Sequence, residues 1–129
     1  MINITDGLMI SSPSDPLRAV VRIDFPASER LGHGKIRLLE LIKETGSISA
    51  AGRSMDMSYR RAWLLVDAMN RMFGQPVVLS QRGGKQGGGA VVSAFGEELL
   101  SRFRAMESTV AHALKGDLDW LEVNRRHSK

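Results

Sequence analysis

Residues 46–73 read GSISAAGRSMDMSYRRAWLLVDAMNRMF, and this stretch decides the fold. Ser47 or Ser49 is a suitable N-cap for a short helix that ends near Met55, because a serine hydroxyl accepts a hydrogen bond from a free amide of the first turn. After a tight turn, Ser58 caps a longer helix that occupies the rest of the stretch. The sequence therefore predicts two helices joined by a tight turn.

The longer helix has two different faces. An apolar stripe at helical spacing is expected to lie in the core, and it comprises Ala62, Leu65, Val66, Met69, Met72 and Phe73. The opposite face carries Arg60, Leu64, Asp67 and Arg71, flanked by Tyr59 and Trp63. This second face is the candidate binding surface.

The residues before this stretch predict a strand and a first helix. Leu17–Phe25 alternates apolar and charged residues, which is typical of a half-buried strand, and Pro26 closes it. A loop is expected from there to Gly34. From Lys35 the apolar residues follow helical spacing, and Gly46 supplies the stop.

The residues after the stretch predict a β-hairpin and a last helix. Residues 77–82 and 90–92 are strand-like, and the tip between them, residues 83–89, holds five of the 13 glycines of the chain. Ser93 caps a final helix, which Gly116 is expected to end. Beyond it, a short extra turn is the most that the sequence predicts.

The last helix carries an apolar seam, Leu99, Phe103, Met106 and Val110, with spacings of 4, 3 and 4. This period is typical of a two-stranded coiled coil, and the helix is longer than a small domain needs for its own packing. We therefore expect these four residues to form a homodimer interface. Packing of the seam on the first helix of the same chain is the alternative.

The order of elements predicts an α+β, mainly helical fold: a winged helix-turn-helix with a C-terminal dimerisation helix. We expect four segments: a flexible leader, the winged helix-turn-helix, the dimerisation helix and a basic tail, at residues 1–16, 17–92, 93–116 and 117–129 respectively.

Composition excludes several classes of function. The 129 residues include no cysteine, which rules out disulfides, thiolate nucleophiles and cysteine zinc sites, and the three histidines are too scattered for a metal site. We expect no metal, no cofactor and no enzymatic activity. Neither a membrane span nor a signal peptide is apparent, so we expect a cytoplasmic protein.

The positive charge is concentrated on the predicted binding unit. Residues 53–104 hold eight basic and four acidic side chains, so their surplus equals the formal charge of +4 of the whole chain. A major groove about 12 Å wide admits one helix. Ser58, Tyr59, Arg60 and Arg61 lie where a recognition helix first meets bases and phosphates. Double-stranded DNA is therefore the expected partner.

The chain resembles the DNA-binding domain of the ModE family of molybdate-responsive regulators over about residues 35–103. The most specific matches are GSIS at Gly46, SYRRAW at Ser58, the pair Met69-Asn70, and GGKQGGGA at Gly83. A similar but looser helix-turn-helix opens LysR-type regulators.

The resemblance implies a homodimer on an inverted-repeat operator. Ser58, Tyr59, Arg60, Arg61 and Trp63 would then lie on the recognition helix, and Arg82, Lys85 and Gln86 on the wing. ModE regulators sense molybdate in C-terminal molbindin-type domains, and this sequence ends at Lys129. In this the sequence departs from the family pattern, and we expect a stand-alone form without the oxyanion site.

Other interpretations of the same residues stay open. Trp63 can pack internally, Arg60 and Arg61 can be merely solvated, and the glycine tip can be a hairpin without contacts. The tip lacks the spacing of a nucleotide-binding P-loop. Two further functions are an interaction module that heterodimerises with a full-length ModE-type protein, and a small-oxyanion-binding protein that uses residues 83–89 as an anion nest.

Overall fold

The computed structural model describes residues 14–81 and 89–126 of the chain. It is mainly helical, as the sequence predicts, and contains two small sheets. In chain order the elements are β1 Arg22–Asp24, a 3-10 turn Pro26–Ser28, β2 Arg30–Gly32, α1 His33–Thr45, α2 Ile48–Ser54, α3 Tyr59–Met72, β3 Val78–Gln81, β4 Gly89–Val92, α4 Ala94–Ala113 and α5 Lys115–Asn124. Of the leader expected at residues 1–16, residues 1–13 lie outside the described residues.

Helices α2 and α3 begin at the predicted serine caps and α1 ends at the predicted glycine, whereas α1 begins at His33, within the predicted loop. Gly46 adopts a left-handed conformation, with a φ of 71°, and ends α1 by donating its N–H to the carbonyl of Ile42. The hydroxyl of Ser47 accepts from the amide of Ala50 at the start of α2. Ser58 does the same for the amide of Arg61 at the start of α3. These caps fix the tight turn between α2 and α3.

One core holds the fold together. Helix α1 lies at its centre, with four fully buried side chains, and the apolar stripe of α3 packs beside it. Helix α4 adds Phe103, whose side chain is 0% exposed. The innermost residues are Ile36, Leu38, Leu39, Ile42, Ala62, Val66, Met69, Val77 and Phe103. Burial of this apolar surface stabilises the arrangement of α1, α3 and α4.

The first hairpin contains a strand that the sequence analysis missed. Residues 30–32, expected to be loop, pair antiparallel with β1, with Ile23 opposite Leu31. The turn between the strands uses Ala27 and Ser28 with positive φ, where no glycine announces a turn. The second strand is only three residues long, too short for a period to be recognised. The structure therefore replaces the predicted loop by β2.

The end of the last helix also differs from the prediction. Gly116 was expected to end the helix, but it is itself helical and lies inside α5. The N–H of Leu114 donates to Val110 and that of Leu118 to Leu114, so helical bonding continues across the junction of α4 and α5. Glycine permits a left-handed C-cap but does not require one. In place of a short extra turn, the structure has a ten-residue helix.

Within the described ranges, none of the helices has both the length and the apolar character that crossing a bilayer requires.

Candidate nucleic-acid interface

The outer face of α3 exposes large side chains. Tyr59 keeps 55% of its surface exposed, Trp63 40% and Leu64 54%. Together with Arg60 and Asp67 they border a shallow, open depression on the helix. The inner face of the same helix is held by Ala62, Val66 and Met69 in the core. The core therefore fixes which side chains α3 presents to a partner.

Two arginines on this helix have no carboxylate partner among the described residues. Arg60 and Arg61 are both exposed, and neither takes part in an ion pair there. Arg71, in the last turn of α3, differs because its Nε lies 3.2 Å from Oδ2 of Asp67. An unpaired guanidinium offers its donors to phosphate or to a base edge without first breaking an internal salt bridge.

The side chain of Asn70 connects α3 to the second hairpin. Its Oδ1 accepts from the amides of Val77 at 2.8 Å and Val78 at 3.1 Å, and its Nδ2 donates to the carbonyl of Val78 at 3.1 Å. One side chain therefore satisfies three backbone groups at the start of β3 and fixes that strand relative to α3. The sequence analysis singled out Asn70 only as part of the family resemblance and did not predict this structural role.

The returning strand is attached from the other side. The amide of Ala90 donates to the carbonyl of Gly46 at 3.0 Å, which ties β4 to the turn after α1. A Cβ on Gly89 would lie 3.3 Å from that same carbonyl oxygen, so the approach is close. Both strands of the β3–β4 hairpin are thus attached to the helices, β3 at its start and β4 near the tip. The predicted wing residues Arg82, Lys85 and Gln86 lie outside the described residues.

The four residues of the predicted dimer seam have different surroundings. Phe103 is fully buried in the core of its own chain, which is the alternative considered for the seam. Leu99 is half-buried, whereas Met106 keeps 37% of its surface exposed. Leu99, Met106 and Val110 line an open groove of about 720 Å³ between α4 and the β1–β2 hairpin. The sequence did not reveal that the hairpin contributes to this groove.

Part of the positive charge counted on the binding unit is neutralised by internal ion pairs. Arg104 contacts Glu40 of α1 through two nitrogens, at 2.7 and 3.0 Å, and also Glu107 at 2.7 Å. The hydrogen bond from Arg104 holds the pKa of the Glu40 carboxyl below its usual value, although partial burial opposes this effect. On the same helix, Arg102 pairs with Glu98. Arg104 therefore joins α1 to α4, whereas the charge of Arg102 is compensated within α4.

The described residues contain no group of three or more histidine, cysteine, aspartate or glutamate side chains that can hold a metal ion.

The chain is similar to two kinds of curated protein. It is 45% identical over 101 residues to the molybdenum-pterin-binding protein MopB of Rhodobacter capsulatus, covering 74% of this chain and 37% of MopB. It is 35% identical over 96 residues to the molybdenum transport protein ModE of Azotobacter vinelandii, covering 74% of this chain and 36% of that protein. A third relative is the DNA-binding transcriptional dual regulator ModE of Escherichia coli K12, 36% identical over 69 residues, which are 54% of this chain and 26% of that regulator.

No family model matches the chain. The chain spans little more than a third of the length of the first curated relatives that it matches. Its homologues are ModE and Mop proteins over about three-quarters of its own length, which supports a ModE-like family.

Proposed function

We propose that this chain, whose homologues are ModE regulators and molybdenum-pterin-binding proteins, is a sequence-specific DNA-binding transcriptional regulator that acts as a homodimer. The observation that carries the proposal is the outer face of α3. It combines exposed aromatic side chains with the guanidinium groups of Arg60 and Arg61, which have no carboxylate partner in the described part of the chain, on a helix whose other face is anchored in the core.

In the proposed complex, α1, α2 and α3 with the β3–β4 hairpin act as a winged helix-turn-helix. Helix α3 lies in the major groove, where Arg60 donates to a base edge and Arg61 to a phosphate. Ser58, Tyr59 and Trp63 pack against the backbone and bases beside them. Arg82, Lys85 and Gln86 of the wing contact phosphates, which supply much of the affinity.

The proposed homodimer should bind an inverted-repeat operator. Two copies related by a two-fold axis place their α3 helices in successive major grooves, about 34–36 Å apart. The groove beside α4, with Leu99, Met106 and Val110, is the proposed surface between the copies. We further propose that the controlled genes serve molybdenum metabolism, a link supported by the names of the relatives.

Capture of genomic DNA by the purified protein at near-physiological salt, followed by sequencing, tests the proposal. We expect enrichment of an inverted repeat. The variant Arg60→Ala should lose about 1–3 kcal/mol of binding free energy and relax the preference at one base position of each half-site, because a bidentate base contact is removed. Arg18→Ala is the matched control, since Arg18 is exposed but outside the proposed interface, and its specificity should be unchanged.

Sequence-blind binding by the wild type would contradict the proposal and favour an interaction module that pairs with a full-length ModE-type protein. Equal losses of binding free energy and of base preference in Arg60→Ala and Arg18→Ala would show that Arg60 does not contact a base.

A further inference from the structure

The outer face of α3 places an apolar side chain beside an arginine. Leu64 keeps 54% of its surface exposed, and it lies one helical turn after Arg60 on the same face. Both side chains border the depression of about 530 Å³, together with Tyr59, Trp63 and Asp67. A single exposed leucine is ordinary, but an apolar patch next to charged side chains is typical of a binding surface.

The core of the protein does not account for Leu64. The inner face of α3 is formed by Ala62 and Met69, which are fully buried, and by Val66, which is 2% exposed. Leu64 lies on the other side of the helix and outside this core. Helix propensity does not require a leucine either, because alanine has the higher propensity. The exposed leucine therefore fits a role in binding better than a role in folding.

The charged groups around Leu64 favour a polyanionic partner. Arg60 and Arg61 are exposed, and among the described residues neither has a carboxylate partner. The carboxylate of Asp67 lies 3.2 Å from Nε of Arg71, so a guanidinium on the same helix compensates its negative charge. The outer face therefore combines a net positive charge with one aliphatic side chain.

In the major groove of DNA, thymine is distinguished by an apolar group. All four bases present hydrogen-bonding groups there, and thymine also presents its C5 methyl. A leucine placed against an amino or carbonyl group removes water without replacing the lost hydrogen bond, which is unfavourable. Against a methyl group it buries apolar surface, which is favourable. A leucine on the outer face of a recognition helix therefore discriminates in favour of thymine.

We propose that Leu64 contacts the C5 methyl group of a thymine in each half-site of the operator and thereby selects this base. Residues four positions apart on a helix are separated by about 6 Å along its axis, and successive base pairs by about 3.4 Å. The selected thymine therefore lies within about two base pairs of the base that Arg60 contacts. The inference rests on the proposed function and adds a specificity-determining residue to it.

Replacement of thymine by deoxyuridine tests the inference, because uracil lacks the C5 methyl and keeps the hydrogen-bonding groups of thymine. The inverted repeat enriched from genomic DNA is synthesised with deoxyuridine at one thymine position at a time, and fluorescence anisotropy measures its affinity. At one position near the base assigned by Arg60→Ala, the wild type should lose about fourfold in affinity per half-site, which corresponds to one buried methyl group. For Leu64→Ala, the same replacement should leave the affinity unchanged.

Two further variants make the test specific. Leu121→Ala is the matched control, since Leu121 is a helical leucine, 47% exposed, on α5, which has no part in the proposed complex. Its sensitivity to deoxyuridine should equal that of the wild type. Leu64→Gln should lose this sensitivity and change the preferred base at the same position, because glutamine forms a bidentate contact with adenine. Circular dichroism checks that each variant keeps its helix content.

The outcomes separate this inference from the proposed function. If deoxyuridine is tolerated at every thymine position while exchange for other bases weakens binding, the methyl contact is overturned and sequence-specific DNA binding stands. If Leu64→Ala is as sensitive to deoxyuridine as the wild type, another residue contacts the methyl group and the role of Leu64 is overturned. If the wild type shows no sequence preference at all, the inference fails together with the proposed function.

Discussion

At the scale of single residues, Asn70 has the largest structural role among the polar side chains of α3. Its side chain is the hydrogen-bond partner of three backbone groups at the start of β3, at distances of 2.8 to 3.1 Å. A buried or half-buried peptide group without a partner costs more than the net gain of an ordinary hydrogen bond. The orientation of the second hairpin relative to α3 therefore depends on one amide.

Replacing Asn70 by alanine should lower the free energy of unfolding by about 1–3 kcal/mol, because the amides of Val77 and Val78 lose their acceptor. Urea unfolding followed by circular dichroism measures this loss. Asn124→Ala is the matched control: its Nδ2 donates to the carbonyl of Trp120 on an exposed helix, so the change should stay within about 0.5 kcal/mol. Equal losses in the two variants would contradict the role of Asn70.

The close packing around Gly96 leads to a second prediction for a single residue. A Cβ at this position would collide with the carbonyl oxygen of Val77 and would lie 2.7 Å from Cγ1 of Val92. Gly96→Ala should therefore cost about 1–3 kcal/mol, the range for overpacking. Gly34→Ala, in α1 with no atom within 4 Å of the added Cβ, should be neutral or stabilising. Thermal melts of both variants compare them, and an equally stable Gly96→Ala would show that α4 can shift.

At the scale of elements, a pair of side chains joins α1 to α4. Glu40 and Arg104 form a two-pronged contact between residues 64 positions apart, and Arg37 also donates to Glu40 at 2.9 Å. The side chain of Glu40 is 28% exposed, so solvent screens the pair only in part. This contact is geometrically specific and adds to the apolar packing of the two helices.

This pair predicts a pH dependence of stability. The folded state lowers the pKa of Glu40, so its contribution is complete above the unfolded-state pKa, near 4.5, and is lost as the pH falls through the lower folded-state pKa. At pH 7, Glu40→Gln should be less stable than the wild type by about 1 kcal/mol, and the gap should close in that acidic range. Denaturant unfolding at several pH values measures the gap. Glu98→Gln, which removes an exposed pair with Arg102, should show a smaller gap.

The sequence was sufficient to predict the elements whose ends are marked by caps or glycine. Gly46 predicted the end of α1, and Ser47 and Ser58 predicted the starts of α2 and α3, because the roles of these residues depend on neighbouring backbone groups. It was insufficient for β2 and α5. The turn before β2 is made by Ala27 and Ser28, whose positive φ no residue type announces, and Gly116 is accommodated in a helix that the chain continues.

For the candidate site, periodicity separated the core face of α3 from its outer face, and the exposed Tyr59, Trp63 and Leu64 agree with that division. Periodicity did not distinguish Phe103, inside the core, from Met106, at the surface, because both occupy one helical stripe. Which of them is covered depends on the β1–β2 hairpin and on α1. Contacts between distant parts of the chain decided this, and they leave no local pattern.

At the scale of the whole molecule, stability is expected to depend on protein concentration. A dimer that forms only from folded chains makes the melting temperature rise with concentration. Differential scanning calorimetry over a hundredfold range of concentration measures this slope. Met106→Glu, which places a charge in the groove, should melt at a temperature that does not change with concentration. If the melting temperature of Met106→Glu rises with concentration as steeply as that of the wild type, the dimer interface does not lie in the groove.

The double attachment of the second hairpin has a consequence for protein engineering. Strand β3 is fixed at its start by Asn70 and strand β4 by the bond from Ala90 to Gly46, so both strands are attached to the helices through described residues. Residues between Gln81 and Gly89 can then be lengthened, shortened or randomised at little cost in folding. Under the proposed function, a library built there on a constant α3 would supply variants that differ in overall affinity for DNA while they share one scaffold.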